Sequence, residues 1–332
     1  MKPLTIIGSN DLVQALGVRS FRQRFPWIGP DLQTIKNNAT AFRLKPVSGH
    51  MTRHQIPCKA GMLSAMLNIP LRGKAKAVVV LCPGLGGTEK SSYMREYAAA
   101  LVPSGFATLR WNYRGSGPSA PTSTGPYNAG LCEDLRAVLN AIPKEVSHLP
   151  IFLLGFSLGG HLVLRTLGEG NLPKSVLGAV SISAPLDLSA SMKTLERPRN
   201  NFYMQYLVKK LKRDLTPDLL EQAEGLTSMR DIDDKITGPA FGYKDAEDYY
   251  ANRSAKSLIS NIEVPILAIH SMDDPWIPFQ SYATVTWPDH IRSAALLTPY
   301  GGHMGFHGTG DSRPWSLDIM LRYFNHLHVL RA

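Results

Sequence analysis

No apolar run in this 332-residue chain nears the ~20 residues that a bilayer-spanning helix requires. Residues 1–11 hold one basic residue and too short an apolar segment for a secretory signal. Cysteine is scarce. Cys58, Cys82 and Cys132 are an odd, scattered set without metal-type spacing, which argues against a disulfide framework and suits a reducing compartment. The expected compartment is therefore the cytoplasm, with no integral membrane segment. Cys82 ends a strand-like run and reads as a small buried hydrophobe. Histidines are present, but without the His-x-x-x-His or cysteine-rich spacing of a metal set. Internal repeats and low-complexity tracts are lacking as well.

The formal charge is +10, which favours loose association with anionic surfaces. Basic residues are spread along the chain, apart from Lys209-Lys210-Leu211-Lys212-Arg213. No helix-turn-helix or RNP-like motif accompanies that cluster, so it reads as a solvated helix face and no nucleic-acid partner is expected.

What the chain does have is one sharp corner. Ile151-Phe152-Leu153-Leu154 is an apolar run that breaks into Gly155-Phe156-Ser157-Leu158-Gly159-Gly160 and continues as His161-Leu162-Val163-Leu164. The pattern is strand, tight turn, helix, with a serine at the turn. The glycines permit the tight backbone, and the positive end of the helix points at the serine hydroxyl.

Around this corner the sequence alternates strand and helix. Strands are expected at 55–57, 62–69, 77–81, 107–111, 151–154, 176–182, 265–270 and 294–297, with helices between many of them. Such alternation predicts a mostly parallel, eight-stranded sheet with helices on both faces, in a single domain over 1–332. Chemistry gathers at the carboxyl ends of strands in such sheets. The least regular part is 1–70, where 24–35 mixes aromatic, proline and glycine residues. It reads as an ordered wrap, not a helix. From 186 to 264 the alternation stops and helical spacing takes over, with Phe202, Tyr206 and Leu207 as apolar markers. This stretch reads as a helical cap inserted over the strand ends.

A serine hydroxyl needs an adjacent base, usually histidine, and the histidine needs a carboxylate behind it. At strand-end sites the order is serine, acid, histidine. Ser157, Asp274 and His303 follow that order, each just past an apolar strand. His303 comes after a strand and a Gly-Gly pair. His307 lies further from the strand end, and His326 and His328 sit on the final helix. The acid is Asp273 or Asp274, and the Asp-x-x-Ile-Pro frame favours Asp274, leaving Asp273 to help hold the loop. Asp187 is a weaker rival. For an oxyanion, Leu158 offers the N–H after the nucleophile, and the loop Pro83-Gly84-Leu85-Gly86-Gly87 offers a second at Leu85.

These residues resemble the α/β-hydrolase superfamily, and more closely its YheT-like branch. The amino-terminal Phe25-Pro26-Trp27 with Leu32-Gln33-Thr34-Ile35, the 83–87 loop, Asn112-Tyr113-Arg114-Gly115 and Gly155-Phe156-Ser157-Leu158-Gly159-Gly160 carry the likeness. So do Ile232-Asp233-Asp234, Gly242-Tyr243, Asp248-Tyr249-Tyr250, Asp273-Asp274-Pro275 and the run from Gly301 to Phe306. Pro83 stands where a histidine is commoner in the fold. The resemblance implies an α/β-hydrolase fold and hydrolysis of a small-molecule carboxylic ester. The residue chemistry above supplies the route, an acyl-enzyme with no cofactor. Acyl transfer, thioester or phospholipid cleavage, or ligand binding on a dispensable triad are the competing expectations.

Overall fold

The structure is a computed structural model that describes residues 4–126, 128–288, 293–310 and 312–331. The amino-terminal stretch read from residue 1 therefore begins, among the described residues, at Leu4.

A nine-stranded sheet forms the centre. Its strands are β1 (Thr5–Gly8), β2 (His50–Cys58), β3 (Gly61–Ile69), β4 (Val78–Cys82), β5 (Ala107–Trp111), β6 (Ile151–Phe156), β7 (Val176–Ile182), β8 (Ile266–Ser271) and β9 (Ala294–Thr298). They lie in the order β1-β9-β8-β7-β6-β4-β5-β3-β2. Five of the eight pairings are parallel, and the antiparallel ones join β1 to β9, β2 to β3, and β3 to β5. The sheet thus has one strand more than expected. The addition is β1, four residues whose backbone partner, Ala294–Leu297, is nearly the whole chain away. So short a run carries too little periodicity to be read locally.

The central strands are apolar throughout because both faces are covered. Along β4, Val78, Val80 and Cys82 enter the core on one face, while Val79 and Leu81, with Ala77 just before the strand, enter the other. This is the two-residue period of a pleated strand. The closing helix, Trp315–Val329, stacks Phe324 on Phe152 of β6 at 4.9 Å. Cys82 is fully buried and accepts a hydrogen bond from Trp111 Nε1, and burial pushes its thiol up to about 12.

A second difference concerns 24–35. The wrap contains a helix, Pro30–Ala39, with Pro30 in its first turn after Gly29. Proline is at home there, since that turn lacks acceptors for its N–H groups anyway. The sequence hides this helix because its apolar residues face out and its polar ones face in. Gln33, Lys36 and Asn37 are buried, whereas Leu32 and Ile35 are exposed.

Between β7 and β8 the chain is helical. Leu188–Leu195, Asn201–Arg213, Pro217–Gln222, a short run through Met229–Ile232 into the π-turn Asp233–Thr237, and Ala246–Arg253 follow one another. His161, buried on the helix after β6, sets its two ring nitrogens 2.7 Å and 2.9 Å from the carbonyls of Pro185 and Arg253. Burial keeps this imidazole neutral, with one N–H, so it donates to one of these carbonyls and abuts the other. Among the described residues no helix is long and apolar enough to cross a membrane.

Candidate active site

Ser157 sits at the end of β6, before the helix Leu158–Glu169. Its backbone has φ 51° and ψ −119°, a conformation that side-chain-bearing residues rarely adopt. The glycines on either side explain how the corner closes. A Cβ on Gly159 would lie 2.2 Å from the carbonyl oxygen of Cys82, and one on Gly155 would lie 2.4 Å from that of Gly159. The helix therefore starts pressed against the end of β4, and the serine is left at the crest.

Two loops at other strand ends meet it. The turn after β8 carries Asp274, and the loop after β9 carries His303. His303 Nε2 lies 2.9 Å from Ser157 Oγ, and its Nδ1 lies 2.8 Å from Asp274 Oδ2. Asp274 also accepts the backbone N–H groups of Trp276 and Ile277 through Oδ1, at 2.8 Å and 3.0 Å. An ionised carboxylate only accepts, so Nδ1–H donates to it and Nε2 is left to accept from the serine. Burial pushes the Asp274 carboxyl up, but the charge and hydrogen bond of His303, then His270 and the Trp276 N–H, outweigh it and hold the group below the usual carboxylate range. Trp276 stacks on the His303 ring at 4.1 Å.

The other candidates separate cleanly. Asp273 Oδ1 accepts the Gly302 N–H at 2.9 Å, one residue before His303, so it braces that loop. Burial raises its carboxyl to about 6 against the pull of this bond. Asp187 caps the helix Leu188–Leu195 through Ala190 N–H and pairs with Lys256. His307 is buried against Asn37, 2.8 Å away, and does not touch the serine. Burial, with the charges of Lys36 and Arg24, lowers it to about 2 and keeps it neutral. His326 and His328 lie on the closing helix.

A cavity of about 260 Å³ opens over Ser157 and His303. Leu85 and Leu158, the two expected oxyanion donors, are in its wall beside the serine. The Leu85 loop is held by Tyr93, whose hydroxyl accepts the Gly84 N–H at 2.9 Å. Much of the opposite wall comes from the helical insert, including Leu188, Met192, Leu195, Leu207 and Met229.

Three contributors carry no signal in the sequence reading. Thr34 takes the His303 N–H on its hydroxyl at 2.8 Å. Trp276 supports the imidazole. Asp233 puts a buried carboxyl into the cavity wall, with Tyr250 O–H donating to it at 2.8 Å. Burial raises that carboxyl to about 6 although the hydrogen bonds of Tyr250 and Thr237 oppose the rise. Asp233 lies within one of the motifs that carry the family resemblance, but position in a motif does not reveal that a side chain faces a cavity.

The family model described as serine aminopeptidase, S33, matches residues 73–286, more than half of the chain. The chain belongs to that α/β-hydrolase family, in the YheT-like branch. The YheT protein of Escherichia coli is 30% identical over 251 residues, covering 72% of this chain and 73% of that protein. A protein of Saccharomyces cerevisiae named monoacylglycerol lipase is 30% identical over 274 residues, covering 76% of this chain. The chain spans 60% of that relative's length. Among solved structures, the esterase Pf2001 of Pyrococcus furiosus superposes with a TM-score of 0.56 over 93% of this chain and 97% of that one, at 15% identity. Likeness at so low an identity speaks for the α/β-hydrolase fold alone.

Proposed function

We propose that the protein hydrolyses carboxylic esters by way of a Ser157 acyl-enzyme. The observation that carries this reading is the relay Ser157–His303–Asp274, with contacts of 2.9 Å and 2.8 Å, opening into a largely apolar cavity. As Ser157 Oγ bonds to the ester carbonyl carbon, its proton passes to His303 Nε2. The carbonyl oxygen gains the negative charge, and the N–H groups of Leu85 and Leu158 receive it. Each such donor contributes about 3 kcal/mol in hydrolases of this kind. The C–O bond to the alcohol breaks, and His303 returns the proton to the departing oxygen. Water, deprotonated by the same imidazole, then frees the acid and restores the serine. Asp274 holds the ring and offsets its positive charge throughout.

The insert over 186–264 acts as a cap that limits acyl-chain length, since its Met192, Leu195 and Leu207 side chains wall the cavity. The apolar wall and the name of the yeast relative favour a lipid-like monoester over a charged substrate. The chain is taken as one domain over 1–332 with 1–70 as an amino-terminal wrap, acting in the cytoplasm, where three free thiols are at ease.

The test is a panel of p-nitrophenyl esters of rising chain length, run on wild type and Ser157→Ala. The wild type should give a burst of one equivalent of nitrophenol and a serine-linked acyl adduct by mass spectrometry. Ser157→Ala should give neither. Normal turnover by that variant would remove this reading.

A further inference from the structure

We propose that the amino-terminal helix Pro30–Ala39, with the side chains that flank it, docks the protein onto an anionic lipid surface. The proposal builds on the ester-hydrolase reading, because docking would set the cavity against the layer that holds the substrate.

The starting point is the inverted polarity of this helix. Its inward face is polar and fully engaged. Gln33 bonds the carbonyls of Trp27 and His307 at 2.6 Å and 2.9 Å and accepts the His307 N–H at 2.8 Å. Asn37 donates to the Met304 carbonyl at 3.0 Å, and Thr34 receives the His303 N–H. The inward side chains thus grip the loop that carries the catalytic-site histidine. Nothing in that task asks the outward face to be apolar. Polar side chains there would serve the fold as well and would avoid hydrating hydrocarbon.

Yet the outward face is apolar. Leu32 and Ile35 lie on the exposed side of the helix, with Ile28 exposed just before it, Phe25 85% exposed ahead of that, and Phe42 79% exposed after it. A sixth apolar side chain, Phe202, is 73% exposed at the start of Asn201–Arg213. That helix lies alongside the first one. Asp31 joins Arg199 at 3.0 Å and Tyr203 O–H at 2.8 Å, and Asn38 meets Tyr206 O–H at 3.3 Å. Phe202, one of the apolar residues whose spacing marks this stretch as helical, points to solvent. Exposed apolar side chains clustered like this mark a contact surface.

Charge selects the partner. Basic residues occur throughout the chain, but their acidic compensation does not. Segment 19–45 holds six basic residues and one acidic, and segment 197–213 holds six basic and none acidic. Together they carry +11 of a total of +10, so the rest of the chain is close to neutral at −1. The two segments that expose the apolar side chains therefore hold the chain's net positive charge by sequence, although Arg199 pairs with Asp31 and Arg213 with Asp214. Arg43 sets its guanidinium over the Phe42 ring at 5.3 Å, and Lys209 and Arg213 are exposed on the second helix. Apolar side chains that enter the acyl boundary beside cations that meet lipid phosphates are the pattern of interfacial helices. The same two helices wall the cavity, through Thr34, Asn37 and Asn38 on one and Tyr206, Leu207 and Lys210 on the other.

The experiment is sedimentation with vesicles of phosphatidylcholine, with and without phosphatidylglycerol. It uses wild type, Ser157→Ala, Ile35→Asn/Phe42→Ser, and Phe42→Ser alone should the double variant fold poorly. Wild type and Ser157→Ala should bind the anionic vesicles equally, and more weakly as salt rises. The outward substitutions should weaken binding about tenfold or more, as expected for lost apolar insertion. They should leave p-nitrophenyl acetate turnover unchanged while lowering turnover of a long-chain monoester presented in vesicles. Absence of wild-type binding, equal binding to uncharged vesicles, or undiminished binding of the outward variants would overturn the proposal. So would a concentration-dependent dimer that those substitutions dissolve, since the face would then belong to a second copy. Loss of p-nitrophenyl acetate turnover by Ser157→Ala tests the hydrolase reading separately. Vesicle binding can stand or fall without it.

Discussion

The strand-end floor of the cavity and the helical wall opposite it are built on different principles. The floor is held by backbone against backbone. Gly159 has no room for a single added carbon, and Ser157, two residues before it, is held at a positive φ. The wall is held by side chains, with Met192, Leu195, Met204, Leu207 and Val208 packed together and Asp233 bonded to Tyr250. A floor of this kind tolerates no change, whereas a wall of this kind can be repacked. On the proposed ester-hydrolase reading, the difference separates a rigidly held chemistry from a substrate preference that is open to adjustment.

The contrast can be broken at its strongest point first. Gly159→Ala sets a methyl 2.2 Å from a main-chain oxygen that has nowhere to go, so the variant should fail to yield folded protein in thermal melts. By contrast, Leu195→Ala in the wall should fold. Should Gly159→Ala fold as well as wild type, the distinction between floor and wall is lost.

Next in size are the relay side chains, which sit on the floor but do not build it. His303→Ala and Asp274→Asn should lower kcat by roughly 10³–10⁴-fold. For Asp274→Asn the amide nitrogen faces Nδ1 or the two backbone donors, so the imidazole loses its orientation. Steady-state kinetics on a soluble ester checks both, and a loss under tenfold for His303→Ala would take the histidine out of the relay.

Smaller effects are expected from the wall. Met192→Ala widens the cavity and should move kcat/KM toward longer acyl chains by about 10–100-fold relative to short ones, the range that one or two methylenes can decide. An unchanged chain-length profile would mean that the insert does not measure the substrate.

The smallest is a pH effect at Asp233. Its carboxyl titrates at about 6 in the folded protein, above the ordinary value, because burial disfavours the charge. The folded state therefore binds this proton more tightly than the unfolded one. The stabilisation it brings is full at low pH and is lost as pH rises through about 6. Asp233→Asn cannot ionise, and its carbonyl can still accept from Tyr250. Relative to wild type it should gain about 1–3 kcal/mol of stability between pH 4 and pH 8, read from urea melts at both. A difference independent of pH would show that the carboxyl is ionised at no cost.

Legibility followed the same division. Seven of the nine strands could be read from local apolar runs, and β2 from its short core 55–57. Ser157, Asp274 and His303 could be put forward together because each follows such a run, and the Asp-x-x-Ile-Pro frame favoured Asp274 over Asp273; the structure brings these three side chains into contact. β1 could not be read, since its reason for being a strand is a partner at Ala294–Leu297. The helix Pro30–Ala39 was obscured because its buried face is polar, which reverses the rule that apolar spacing marks the inside. Thr34 and Asp233 lie inside motifs of the family resemblance and Trp276 directly after one, but spacing does not reveal that their side chains reach the site.

By itself the sequence determined the parallel core, the corner at Ser157 and the chemical type of the three relay residues. Those features rest on patterns within a few residues, such as strand period and turn backbone. The tertiary structure alone decided that the three side chains meet within 3 Å, which polar groups face the cavity, and which way the amino-terminal helix turns its apolar side. These depend on elements brought together from opposite ends of the chain, where direction and distance are set by packing and cannot be read from spacing.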